Sequence, residues 1–349
     1  MTPFGTIAII GTGLIGTSIG LNLCSRKERS FEVVGADRDR ANTRLAKKMG
    51  ALDREVGSLE EAVDGAGLVV LAVPVLAAQS ILKELGKYLA PGVVVTDTCS
   101  TKADVLRWAT ELLPESAHFV GGHPMAGRET SGPGAATADL FKGATWAVVP
   151  SPQADEQAVG IVLGFVESLG ASPMYIDPAE HDQYAAAVSH LPLLLSAMLF
   201  RMVRDSVGWE DASLLAGPGF KDMTRLASGD PIMSRDIMLT NREAVVHWIG
   251  RLQEELAIAQ KAIASGDDAV LDLFRSTQLD RDTFILNPPV RRRPEGPEAP
   301  SAQDAMSRLF VGGLYDRLKE ASTRATSGRS ANDADLKRKL GMRDEGRDR

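Results

Sequence analysis

Ile9-Ile10-Gly11-Thr12-Gly13-Leu14-Ile15-Gly16 decides the architecture of this chain. It is a G-x-G-x-x-G directly after an apolar, strand-like run and directly before a helical one, the context in which that pattern carries meaning. Gly11 suits the tight turn, Gly13 lets the backbone come close to a pyrophosphate, and Gly16 lets helix and strand pack closely. The helix that begins here presents its partial positive end to phosphates. Thr12, Leu14 and Ile15 complete the turn as cofactor-contacting positions. Asp37 ends the next strand-like run, where a carboxylate binds ribose hydroxyls and repels a 2′-phosphate. NAD is therefore expected rather than NADP, with the adjacent Arg38 a residue type that can accommodate that phosphate.

Outward from the turn, short β-rich runs alternate with helical stretches. Strands are expected at residues 6–10, 32–35, 68–72, 93–96, 118–120 and 145–149, followed by a helix at 155–169 and a strand at 172–176. The alternation predicts an α/β Rossmann-type dinucleotide-binding domain over residues 1–176, built on a mostly parallel, doubly wound sheet. Leu68-Val69-Val70-Leu71 and Val93-Val94-Val95 are continuously apolar, as strands covered on both faces are. After Asp177-Pro178 the pattern turns helical, and residues 177–287 are expected to form an all-α substrate and dimerisation domain. Within it, residues 241–264 carry Val245, Ile249, Leu252, Leu256, Ala259 and Ile263 at helical spacing. Such a stripe is buried against other helices or a second subunit, so a homodimer is expected. Residues 288–349 read as a proline-rich linker, PPVRRRPEGPEAP, and a largely disordered charged tail.

The 349 residues are 44% apolar with a net charge of −7. That composition supports sizeable cores and argues against a general nucleic-acid binder. Cys24 and Cys99 are the only cysteines and form neither a disulfide framework nor a zinc spacing. With no signal-peptide pattern at the N-terminus, a cytoplasmic protein is expected. The most apolar run, residues 185–200, is shorter than the roughly 18 residues of a membrane span. It is expected to be a buried core helix, with no membrane partner.

The stretch Gly121-Gly122-His123-Pro124-Met125-Ala126-Gly127-Arg128-Glu129 places an imidazole in a glycine-bracketed loop after the strand at 118–120. Glycines let a backbone approach a ligand, and histidine titrates near neutrality. A lone histidine beside a redox cofactor points to a base for an alcohol being oxidised. Val73-Pro74 and Asp97-Thr98-Cys99-Ser100-Thr101-Lys102 each follow a strand and belong at the sheet's carboxyl edge, where ligands bind. Val73, Pro74 and Thr98 are thus cofactor candidates. Ser100 can orient an imidazole or cap the following helix, and Cys99 reads as a packing residue. His190 lies on the apolar helix and suits a structural or a functional role equally. His181-Asp182 reads as the capped start of that helix. Lys221 and Arg225 bring two cations to one short segment, and arginine suits bidentate carboxylate binding.

Taken in order, GTGLIG, DTCSTK, HPMAGRETSG, SHLP, FKDMTRLA and DPIMSRDIMLTN resemble the prephenate/arogenate dehydrogenase family of tyrosine biosynthesis over residues 5–286. The set is specific where no single piece is. The resemblance implies NAD-dependent oxidative decarboxylation of prephenate to 4-hydroxyphenylpyruvate, with His123 as the general base that accepts the hydrogen bond of the C4 hydroxyl. It implies that Ser100 holds His123 and the nicotinamide in register and that Arg225 pairs with a substrate carboxylate. His190 would help shape the substrate pocket, with Arg128 and Glu129 also placed in the substrate region. Three positions depart from the family pattern. Leu193 stands where a histidine is frequent, Arg128 where a small hydroxyl residue is frequent, and Ser234 where an aromatic is common. Leu193 keeps arogenate open as the substrate. A β-hydroxyacid-type dehydrogenase and a non-catalytic NAD-binding sensor share the same glycine turn.

Overall fold

The computed structural model describes residues 5–266 and 268–288. Strand and helix alternate from the start: β1 (Gly5–Ile10), α1 (Leu14–Cys24), β2 (Phe31–Ala36), α2 (Arg40–Lys48), β3 (Arg54–Glu55), α3 (Leu59–Val63), β4 (Ala66–Leu71) and α4 (Val75–Leu85). Then follow β5 (Val94–Asp97), α5 (Ala103–Leu112), β6 (His118–Pro124), β7 (Thr145–Pro150), α6 (Glu156–Ser168) and β8 (Ser172–Tyr175). The strands form one sheet in the order β3-β2-β1-β4-β5-β6-β7-β8. β1 pairs parallel with both β2 and β4, so the strand order reverses beside the glycine turn. Open α/β sheets take their ligands at such a reversal. Among the described strands only β6 and β7 pair antiparallel.

Alternation along each strand explains how the sheet is covered. Ile7, Ile9, Leu68 and Val70 enter one apolar core, and Ala8, Ile10, Val69 and Leu71 enter the other. Successive side chains point to opposite faces, so a strand buried on both sides must be apolar at every position. The Rossmann-type sheet expected from the sequence is the one that forms. β3 escaped that reading because its two residues, Arg54 and Glu55, are exposed and polar.

Beyond β8 the chain is helical: α7 (Pro178–Ala185), a π-helical turn (Ala186–His190), α8 (Leu191–Arg204), α9 (Trp209–Leu214), α10 (Pro218–Thr224), α11 (Pro231–Thr240), α12 (Arg242–Ser265) and α13 (Ala269–Leu286). Asp177 caps α7 by accepting from the backbone N–H groups of Ala179 at 2.8 Å and Glu180 at 3.2 Å. The π turn precedes Pro192, whose ring has no N–H to donate and would crowd the carbonyl one turn earlier; a locally widened helix relieves both.

One expectation about this region is corrected. The apolar run at 185–200 is not a buried core helix. It belongs to a continuous helical run, Pro178–Arg204, that is long and apolar enough to cross a membrane by length and composition, with 22% of its most apolar window buried. Val188 is 70% exposed and Met202 67%, because a single chain places no second layer over that side. The stripe on α12 is buried by this chain only near its start, at Val245, and is exposed at Leu256 and Ile263, which leaves the second subunit as its expected cover. Apart from Pro288, the proline-rich linker and charged tail lie outside the described residues.

Candidate active site

Three strand ends converge around the glycine turn. Gly11 has φ +96°, a conformation open to glycine, and a Cβ there would strike the carbonyl oxygen of Ala72 and the side chain of Val73. A Cβ on Gly16 would strike the carbonyl oxygen of Gly11, whereas one on Gly13 would meet nothing within 4 Å. Gly13 also stands at the N-cap of α1 with no side chain capping that helix. Free N–H groups and open space at a helix N-terminus suit an anionic pyrophosphate, so the residues present fit a dinucleotide. Leu14 and Ile15 open the helix half-buried.

Asp37 lies just past β2. Its Oδ2 accepts from Thr12 N at 2.7 Å and from Thr12 Oγ1 at 3.2 Å, and its Oδ1 accepts from Asp39 N at 2.8 Å. The carboxylate is therefore held beside the turn, and Arg38 next to it is exposed. Pro74 stands at the N-cap of α4. Thr98 donates from N and Oγ1 to Leu71 O at 3.0 and 3.4 Å, joining the ends of β4 and β5.

His123 lies not in a loop but inside β6, paired with Ala147 of β7. The antiparallel ladder with β7 carries the strand through Pro124, beyond the apolar run that marked its start. The preceding glycines serve packing rather than ligand approach. A Cβ on Gly122 would lie 2.5 Å from Asp97 O and 2.7 Å from Trp146 Nε1. Gly122 N donates to Asp97 Oδ1 at 3.0 Å. The buried Lys102 ammonium donates to the Asp97 carboxylate and, at 2.7 Å, to Gly122 O. This ion pair clamps the end of β5 to the strand that carries the imidazole.

His123 is 7% exposed. Burial, followed by the nearby His181, Lys102 and His190, pushes its pKa well below the ordinary histidine value, so the ring is neutral at neutral pH. His123 Nδ1 lies 2.8 Å from His181 Nε2, and His181 Nδ1 lies 2.9 Å from Asp182 Oδ1. Asp182 also accepts from Lys102 N at 2.7 Å and Ala103 N at 2.9 Å, so it caps α5 from the helical region. The alternative in which Ser100 caps that helix is not what forms, and His181-Asp182 does not begin α7, which Asp177 caps. Ser100 is half-buried, and the bond from the imidazole goes to His181 instead of its hydroxyl.

His190 is fully buried. Asn241 Nδ2 donates to His190 Nδ1 at 3.0 Å and to Asp182 O at 2.7 Å. His190 must then carry its proton on Nε2, which is buried and faces the Ser100 backbone. Burial pushes its pKa down to about 4 against an opposing pull from Asp182. Arg225 opens the turn after α10 and forms an ion pair with Glu129, bringing together two residues chosen separately from the sequence. Arg128 is exposed and donates to Thr137 Oγ1 at 3.3 Å.

Five partners were missed by sequence reasoning as parts of the site: Asp97, Lys102, His181, Asp182 and Asn241. Asp97 and Lys102 end the quoted DTCSTK stretch and Asn241 ends DPIMSRDIMLTN, so a signal existed, but nothing local says which groups they meet.

Two family models match the chain: prephenate dehydrogenase, nucleotide-binding domain, over residues 21–175, and prephenate dehydrogenase, dimerization domain, over residues 177–276. The chain is 33% identical over 255 residues to the prephenate dehydrogenase of Bacillus subtilis, covering 71% of this chain and 68% of that one. It is 31% identical over 291 residues to the cyclohexadienyl dehydrogenase of Zymomonas mobilis, covering 80% and 96%. Among solved structures, prephenate dehydrogenase from A. aeolicus in complex with hydroxyphenyl propionate and NAD+ superposes with a TM-score of 0.74 at 28% identity, covering 80% of this chain and 98% of that one.

Proposed function

The chain belongs to the prephenate dehydrogenase family, and from that premise we propose that it oxidatively decarboxylates prephenate to 4-hydroxyphenylpyruvate in tyrosine biosynthesis. NAD, held by Gly11, Thr12, Gly13, Leu14, Ile15, Gly16, Asp37, Val73, Pro74 and Thr98, supplies the hydride acceptor. The observation that carries the reading is His123, a buried imidazole kept neutral on β6, beside the strand end that leads to Thr98 and Ser100. A neutral imidazole can draw off the C4 hydroxyl proton as hydride leaves the same carbon. Carbon dioxide then departs from C1 and the ring becomes aromatic. Arg225 pairs with a substrate carboxylate that shares it with Glu129, and His190, buried behind Ser100, helps shape the same region. Ser100 orients the reacting groups and Arg128 sits at the rim.

Asp37 supports NAD over NADP, since a carboxylate at the end of the second strand binds ribose hydroxyls and repels a 2′-phosphate. Exposed apolar side chains on α8, α12 and α13 support a homodimer of cytoplasmic subunits, with residues 1–176 binding the nucleotide and 177–287 forming the substrate and dimer domain.

Following NADH absorbance after adding prephenate to enzyme and NAD tests this directly. A sustained rise is expected. No rise with prephenate or arogenate would leave a cofactor-binding protein without this chemistry. Leu193, half-buried where the family pattern often has an imidazole, supports arogenate as a second substrate. A kcat/KM on arogenate well above that on prephenate would reverse the assignment.

A further inference from the structure

We propose that His181 and Asp182 act as a positioning relay that fixes the tautomer of His123, handing the base its reactive lone pair across the boundary between sheet and helical region. The proposal rests on the reading of His123 as general base and extends it to two residues with no assigned role.

The argument is one of donors and acceptors. Asp182 Oδ1 accepts from the backbone N–H of Lys102 at 2.7 Å and Oδ2 from that of Ala103 at 2.9 Å. Backbone N–H groups can only donate, so both oxygens of the Asp182 carboxylate act as acceptors. The 2.9 Å contact to His181 Nδ1 therefore requires the hydrogen on that nitrogen. With a single proton on the His181 ring, Nε2 presents a lone pair, and the 2.8 Å contact to His123 then requires His123 Nδ1 to be the donor. The remaining lone pair of neutral His123 falls on Nε2, which makes no hydrogen bond among the described residues. With Asp182 anchored and a single proton on the His181 ring, every link follows, and Asp182 is anchored once more where its carbonyl accepts from Asn241 Nδ2 at 2.7 Å.

The geometry also restrains the ring. His123 and His181 meet edge to face, with centroids 5.0 Å apart and planes 66° apart. When His123 gains the substrate proton it keeps its Nδ1–H bond to His181, and Asp182 stabilises the new charge through that ring. No proton has to pass beyond His123. The other charged or titratable groups around it are the ammonium of Lys102, already paired with Asp97, and His190. Because β6 carries the base and α7 carries the relay, the base acquires its working tautomer only when the two regions are docked.

Imidazole nitrogen NMR on isotope-labelled full-length enzyme at neutral pH tests the relay without reference to turnover. Protons on Nδ1 of both His123 and His181 are expected, although imidazole in water prefers Nε2–H. A proton on Nε2 of His123 would overturn the proposal. In kinetics, His181→Leu should lower kcat by a sizeable part of the roughly 10²–10⁴-fold that a positioned general base supplies, with KM and NAD affinity within about twofold. His181→Gln, whose side-chain oxygen can accept from Nδ1–H, should recover part of that loss. An unchanged kcat in a folded His181→Leu enzyme would also overturn it. Should the leucine variant fail to fold, the wild-type tautomers and the glutamine variant still decide. Should the wild type turn over neither cyclohexadienyl substrate, the assigned reaction fails while the NMR measurement still decides the relay.

Discussion

His123 is neutral because burial, more than any single neighbour, disfavours its charged form. A base must be unprotonated to work, so a lowered pKa extends activity toward acid. The profile of kcat/KM against pH should stay flat through the ordinary histidine range and fall only well below it; an acid limb near the ordinary histidine value of about 6.5 would contradict the effect of burial. His123→Asn should lower kcat by about 10²–10⁴-fold while the Kd for NAD measured by titration stays unchanged. His190 makes a separate prediction about stability. Folded, it stays neutral to about pH 4, while the unfolded chain takes up a proton near 6.5. Above 6.5 the two states bind protons alike. Between 6.5 and 4 the unfolded state binds more, so stability falls as pH falls, by at most about 3 kcal/mol. Urea unfolding across that range should show the slope, and His190→Gln should flatten it.

At the level of elements, α4 and α5 begin without a cap from their own N-cap residues, Pro74 and Lys102. Both are capped from the helical region. Asp182 serves α5, and Asp236, itself buried, accepts from Leu76 N at 3.2 Å to serve α4. Each carboxylate sits at the positive end of a helix dipole and joins the two regions there. Asp236→Ala should cost about 0.5–2 kcal/mol in urea unfolding, with hydrogen exchange showing the first turn of α4 loosened before the sheet. β6 is constrained from its other side. In Gly122→Ala the new methyl would meet the backbone of β5, which cannot move without breaking the sheet, and a loss of about 1–3 kcal/mol is expected in the same measurement.

For the whole molecule, the exposed apolar side chains are concentrated in the helical region, including Met202, Leu256, Phe274 and Leu279. Exposed apolar side chains in such number are what the proposed homodimer would cover. Sedimentation of the wild type should give twice the monomer mass. Leu279→Glu should shift it toward one monomer mass and lower the unfolding midpoint; a wild-type mass at all concentrations would place the interface elsewhere.

The glycine turn, the mostly parallel sheet and His123 as a candidate were legible in the chain because each is written locally: a turn that only glycine tolerates at Gly11, strands apolar at every position, an imidazole within a short recognisable run. The apolar run at 185–200 misled for the converse reason, since composition reports that a surface must be covered but not whether its own chain covers it. The partners of the base were decided only by tertiary structure. His123 meets His181 at a separation of 58 residues, Asp182 reaches Lys102 across 80, and Asn241 reaches His190 across 51. Hydrogen-bond direction, and with it the tautomer of His123, depends on which groups the fold brings within 3 Å, and no local pattern encodes that.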